Sequence, residues 1–348
     1  MSLKIIYKID LDYNSELNMN HFSKPPRNPD YLIKILIDRG LTIDETEEIE
    51  IKSYIRKIGY FRLSGYFGPL QSEKDKFKDS THFHDIIRLY RFDKELKFLT
   101  FKALERVEIQ LRALLTDTYS IAHTSFWYAD KELFEEKMEK VTISKCFLED
   151  GELIERNTQI DISLYDALIN EISTSVRKTE HSEFMRKFID KYSADSPIPS
   201  WMIMESISFG KLSRLYALLK PSEEKKFIAN QFGAVTTDYL VSWLHALVVL
   251  RNICAHHSRL WNRKIGKDIK MPTRKSNKFI SDFNEENLRK YYGVSSCLLK
   301  IFNENDKTFM DYYKNKIHIL FKKYDIDPCA LGFPENFQND KIWQRTDI

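Results

Sequence analysis

Between Gly68-Pro69 and Gly151 the chain contains neither glycine nor proline, and after Gly151 the next proline is Pro197. A run of that length, free of the residues that break an α-helix and carrying apolar residues three and four apart, directs the backbone into long helices. The expected fold class is all-α, a helical bundle with an N-terminal helical extension. The expected division is residues 1–75 and 76–348.

"NPDYLIKILIDRG" reads as a helix closed by Gly40. "TIDETEEIEIKSYIRKIG" opens with Thr42 and Glu45 at capping-box spacing and stops at Gly59. "YFRLSGYFGPL" is a turn-rich segment or a short helix pair. From "THFHD" to "LLTDTY" a long helix, or two in line, sets Leu96, Leu99, Ala103, Val107 and Leu111 on one stripe. Glu105, Glu108 and Arg112 lie close together on another face, as a salt-bridged pair of turns. Residues 148–160 are polar and read as a loop, and one helix covers about 162–192. "SADSPIPS", residues 193–200, is the clearest linker. "WMIMESISFGKLSRLYALLK" is a buried amphipathic helix whose Gly210 permits close helix approach. The next helix, "TTDYLVSWLHALVVLRNICAHHSRLWN", is capped near Thr237 or Asp238. Two further helical patterns occupy the tail.

Composition excludes several classes. Net charge is only +3, so a nucleic-acid site has to come from local clustering. Cys146, Cys254, Cys297 and Cys329 lie far apart with no C-x-x-C pair, the pattern of reduced thiols in a cytoplasmic protein. The opening "MSLKIIYKIDLDYN" has no basic region followed by a long apolar run. Nor does any stretch reach ~18 apolar residues, so neither a signal peptide nor a membrane span is expected. There is no glycine-rich phosphate loop to support nucleotide hydrolysis. His82, His84 and Asp85 in "THFHD" read as a polar helix start rather than a metal site.

Charge concentrates in "RNICAHHSRLWNR", Arg251 to Arg263, directly after the apolar "WLHALVVL". On a helix, Asn252 and His256 share a face, Arg259 and Arg263 continue the stripe, and the long Arg251 side chain reaches the same edge. His257 falls on a neighbouring face beside Leu260 and Trp261. The segment that follows adds Lys264, Lys267, Lys270, Arg274, Lys275 and Lys278 against the single Asp268. An imidazole can take or give a proton near neutral pH. A guanidinium binds a phosphate and the extra charge of its transition state. Together they suit phosphodiester cleavage without a metal, in which RNA supplies its own 2′-hydroxyl as nucleophile. No acidic cluster accompanies them, so neither a metal nor a cofactor is expected. A helix end of this composition also serves as a solvated face or a dipole partner, and spacing alone leaves both readings open.

Arg251-Asn252, three residues, then His256 resembles the R-N-x3-H signature of the HEPN ribonucleases. The wider "RNICAHHSRLWNR" is similar to the hallmark of the AbiD/AbiF family of bacterial abortive-infection proteins. "IRKIGYFRLSGYFGPL", "LYRFDKELKFLTFKALERVEIQLRA", "PIPSWMIMESISFGKLSRLY" and "LGFPENF" agree with that family in order. The resemblance implies an all-helical HEPN domain and a metal-independent endoribonuclease of phage defence. It makes Arg251, Asn252 and His256 catalytic; His257 beside them is a candidate support, and the local positive field makes Arg259, Arg263, Lys264, Lys267 and Lys270 the expected RNA-binding residues. "RKTEH", Arg177 to His181, has the wrong spacing and no Asn for a second motif. One motif per chain suggests a homodimer, joined through apolar residues of Trp201–Leu219 and Tyr239–Leu250. A regulatory RNA or an antitoxin is a further expected partner. The competing reading is a non-catalytic RNA-binding or scaffold protein that uses the same basic groove.

Overall fold

The computed structural model describes residues 25–149, 152–179, 181–192, 196–265, 269–274, 277–280 and 284–344. It forms two compact units, one of Met1–Arg88 with Lys140–Asp161, the other of Leu89–Glu139 with Ile162–Ile348. The all-α expectation holds: the described residues form thirteen α-helices and two two-stranded sheets.

In the first unit α1 (Pro29–Asp38) is capped by Asn28, whose side chain accepts from the Tyr31 N–H at 2.9 Å. Gly40, at φ +87°, takes the left-handed turn that ends it. The next helix, α2 (Glu48–Ile58), stops at Gly59 as expected, but the capping box lies two residues late, on the 3-10 turn Glu45–Glu47 that leads into it. The Glu47 carboxylate accepts from the Asp44 N–H at 3.2 Å. Thr42 cannot cap, because its own N–H is bonded to the Thr81 carbonyl at 2.8 Å and holds the chain extended. Then α3 (Tyr60–Ser64) and a 3-10 turn at Gly68–Leu70 form the expected short helix pair, and the antiparallel pair β1 (Gln71–Glu73) and β2 (Lys76–Phe77) follows. The expected loop at 148–160 is strand instead: β3 (Met138–Glu149) pairs with β4 (Glu152–Ser163). The β-branched residues Val141, Thr142, Ile160 and Ile162 favour that conformation.

The helix α4 (Phe83–Ala122) runs unbroken for 40 residues. Its Leu96, Ala103, Val107 and Leu111 are fully buried, and Leu99 is half-buried. At its start the Asp85 carboxylate accepts from the His82 N–H at 3.0 Å, and the rings of His82 and His84 stack.

The second unit breaks two expected helices in four. The 162–192 segment is α5 (Leu164–Arg177) and α6 (Glu183–Tyr192). Thr179 separates them, with its N–H on the Val176 carbonyl and its hydroxyl on Ser206 Oγ. After the linker come α7 (Ser200–Ser206) and α8 (Phe209–Leu218). Arg112 fixes the elbow between them by donating to the carbonyls of Met204 at 2.6 Å and Ile207 at 3.1 Å. Those carbonyls stand at a helix end and have no partner within it. Then follow α9 (Glu223–Gln231), α10 (Thr237–Ala255), α11 (Glu285–Leu288), α12 (Tyr291–Asn305) and α13 (Lys307–Lys323). Thr236, one residue ahead of the expected cap, caps α10 by accepting from the Tyr239 N–H.

The core of this unit forms where α8, α10 and α12 pack together around Tyr216, Trp243 and Tyr291. A buried hydroxyl chain crosses it, Thr100 to Tyr291 at 2.8 Å and Tyr291 to Tyr313 at 2.7 Å. Gly210 is not where space is shortest: a Cβ there would meet Val248 Cγ1 at an ordinary 3.6 Å. At Gly293 it would lie 2.2 Å from the Leu288 carbonyl oxygen, so the turn from α11 into α12 requires glycine. No described helix is long and apolar enough to cross a membrane.

Candidate anion and proton-transfer site at the end of α10

The helix does not run through residue 263. It ends at Ala255, and three backbone bonds explain why. His256 donates its N–H to the Asn252 carbonyl at 3.0 Å, His257 to Cys254 at 3.2 Å, and Ser258 to Ile253 at 3.0 Å. His257 sits in the left-handed region at φ +54°, a position that helices usually give to glycine. The pair of reversed bonds and the left-handed residue form a Schellman turn. The stripe expected to pass through Arg259 and Arg263 therefore breaks after His256. A second left-handed residue, Asn262 at φ +48°, and a bond from Arg263 Nη1 to the Arg259 carbonyl at 3.3 Å fold those two arginines together in a separate turn.

One carboxylate anchors this segment. Asp93, wholly buried on α4, accepts from the backbone N–H groups of Leu260 at 3.0 Å and Trp261 at 2.6 Å. Lys97, one turn further along, pairs with the same carboxylate at 2.9 Å and donates to the Ser258 carbonyl at 3.1 Å. Buried charge is tolerated because each group is both paired and hydrogen-bonded. The sequence carried the signal in part, an Asp and a Lys four apart on a helix, but nothing in their spacing says what they hold.

A second contact from α4 meets the other side of the turn. Glu108 bonds Arg112 at 3.2 Å, as the spacing suggested, and also lies 3.7 Å from Arg251 Nε. Glu105 is exposed and takes no part in this pair. Arg251 directs Nη1 toward Asn252 Oδ1 at 3.4 Å. Its Nε is buried and has no hydrogen-bond partner among the described residues. Asn252, His256 and His257 are all exposed. Under them the Cys254 thiol is pushed up to about 12 by burial, with the nearby Asp93 charge adding to the effect.

The basic residues downstream divide. Arg263 and Lys264 are exposed next to the turn. Lys270 is not beside it: its N–H is bonded to Ser242 Oγ and its carbonyl accepts from Trp243 Nε1, while its ammonium lies 3.7 Å from Asp238. Ser242 is ten residues from Asn252 on α10, roughly 15 Å along the axis. Lys267 lies outside the described residues. The helices expected to join two copies have spent their apolar residues inside the protomer, with Leu212, Leu215, Leu240, Trp243 and Leu247 all buried; Trp201 is exposed. No group of three or more His, Cys, Asp or Glu side chains among the described residues is disposed to hold a metal ion.

The end of α10 thus brings a guanidinium, a carboxamide and an imidazole together at the surface of an all-α protein. The family model for Abi-like proteins matches residues 53–262, more than half of the chain, and the chain belongs to that family. The match runs through α4 and ends just past the Schellman turn, so both sides of the site lie within it. No curated protein and no solved structure matches the chain.

Proposed function

We propose that this protein is a metal-independent endoribonuclease of the HEPN type that acts in abortive infection and phage defence. Its family supports the biological setting. The chemistry rests on one observation, the buried and unsatisfied Arg251 Nε facing Glu108, five residues before the exposed His256. A buried donor without an acceptor is rare and calls for a reason. A scissile phosphate at the outer edge of the guanidinium supplies one, because it draws the group into a defined pose.

His256 takes the proton of a ribose 2′-hydroxyl as the 2′-oxygen attacks phosphorus. The bond from phosphorus to the 5′-oxygen breaks, and that oxygen leaves with a proton from an acid. The products are a 2′,3′-cyclic phosphate and a 5′-hydroxyl. Arg251 neutralises the charge gathered on the phosphoryl oxygens, and Asn252 orients Arg251 and the phosphate. The acid is a second His256 in a two-fold dimer, or His257 of the same chain. Arg259, Arg263 and Lys264 bind flanking phosphates, and a regulatory RNA or antitoxin restrains the enzyme.

Total RNA incubated with purified protein in EDTA tests this reading beside the His256→Ala variant. The parent should yield cyclic-phosphate ends in EDTA, and the variant none. RNA that both proteins bind and neither cuts would establish the non-catalytic scaffold instead.

A further inference from the structure

Away from the α10 turn, α4 and α13 expose a second surface that the proposed chemistry does not use. Phe98 is 61% exposed on α4 and Tyr312 is 38% exposed on α13. Between them lies a shallow groove of about 310 Å³ floored by Leu99 and Leu320. Cations are set against the rings. Lys94 Nζ lies 5.9 Å from the Phe98 centroid, and Lys102 and Lys316 lie 4.8 and 5.9 Å from that of Tyr312. The nearby carboxylates are already matched: Glu95 accepts from Lys323 and from the Tyr324 hydroxyl, and Asp306 pairs with Arg106. Lys94, Lys102 and Lys316 have no carboxylate partner among the described residues.

From this juxtaposition we infer that the α4–α13 groove is a stacking platform for unpaired RNA. It rests on the reading of the protein as an RNA enzyme and adds where the strand lies. Exposed aromatic rings cost free energy in water, whereas a nucleobase presents a flat face of matching size. Three ammonium groups without a carboxylate partner among the described residues stand beside the rings, where the phosphates of a passing strand would meet them. A protein partner fits the surface less well, since lysines are depleted from the centres of protein interfaces. Duplex RNA fits less well too, because its bases are stacked on one another and offer no face. The platform shares α4 with the groups that hold the α10 turn. Phe98 adjoins Lys97, whose ammonium holds the Ser258 carbonyl two residues from His256.

The test uses full-length protein carrying His256→Ala, so that RNA is not consumed, and reads fluorescence anisotropy with a labelled uridine-rich dodecamer and a duplex of equal length. Adding Phe98→Ala with Tyr312→Ala should weaken dodecamer binding roughly tenfold or more, given the worth of one base stacked on one ring. Duplex binding should change less than twofold. Phe98→Tyr with Tyr312→Phe should retain affinity, since both keep a ring. Equal dodecamer affinity with and without the rings overturns the platform. So does a dimer that the ring-less variant converts to monomer in sedimentation while RNA affinity stays constant, which would mark a contact between copies. Cleavage by the parent protein is read separately. RNA that binds through the rings but is never cut upholds the platform and rejects the nuclease.

Discussion

Arg251 Nε and Glu108 Oε2 stand 3.7 Å apart, close enough for the charges to act on one another and too far for a hydrogen bond. The guanidinium is thus steered by a carboxylate that does not capture it. In the proposed mechanism Glu108 is a positioning residue. Glu108→Gln should lower the cleavage rate by about ten- to a hundredfold and leave the helical circular-dichroism spectrum intact. In a double-mutant cycle, Glu108→Gln should cost almost nothing further once Arg251 is alanine, because the two act as a unit. Additive losses would show that Glu108 works elsewhere.

Asp93 is the stability counterpart. Asp93→Ala leaves the Lys97 ammonium without its partner and two backbone N–H groups unmet. Breaking a buried pair from one side costs about 3–5 kcal/mol. Urea denaturation should show a loss of that order. Asp93→Ala with Lys97→Met should recover part of the stability, since no charge is then stranded, but not the cleavage rate, because Leu260 and Trp261 stay unanchored. Recovery of both would mean that the anchor has no part in activity.

His257→Gly separates conformation from chemistry. Glycine carries no Cβ penalty at φ +54°, so the variant should gain up to about 1 kcal/mol in thermal unfolding. If His257 supplies the acid, cleavage should fall at least a hundredfold in that more stable protein. Unchanged cleavage assigns the acid to a second copy's His256.

Alkaline pH should destabilise the fold. Burial pushes the Cys254 thiol up to about 12 from an ordinary 9.0, and the Tyr119 and Tyr165 hydroxyls up to about 12 as well. For a group whose pKa rises on folding, the unfolded chain loses its proton first. Stability from these groups is therefore complete below their unfolded values and lost as pH climbs toward about 12. Denaturation midpoints should be flat from pH 7 to 8.5 and decline steadily above pH 9. At pH 8 the exposed Cys329 should react with maleimide while Cys254 and Cys297 wait for unfolding. A flat profile to pH 11 would contradict the burial.

The helical class, the unbroken α4 and the cluster at 251–257 are legible in sequence because each rests on local information: absent breakers, apolar spacing, residue identity. What escaped reading depends on distant partners. Nothing near Thr42 reveals that Thr81 takes its N–H. The split at Ile207 follows from Arg112, almost a hundred residues earlier. Helix α10 stops at Ala255 without glycine or proline, since a histidine there accepts the left-handed turn. A run of His and Arg looks the same on a helix as beyond its end. The β3–β4 pair hid for another reason, as its β-branched residues are diluted by charges.

Asp93, Lys97, Glu108 and Arg112 hold the turn and the α7–α8 elbow from a single stretch of α4, about 28 Å long at helical rise. A helix of that length without a break has no hinge within it. On the proposed reading the α4 side of the site stays fixed, so adaptation falls to the RNA. The strand would have to deform to fit, and the energy needed to bend and unstack it would become the discriminator. Floppy, unpaired segments would pass at little cost, and stiff duplexes would be refused without a single base being read.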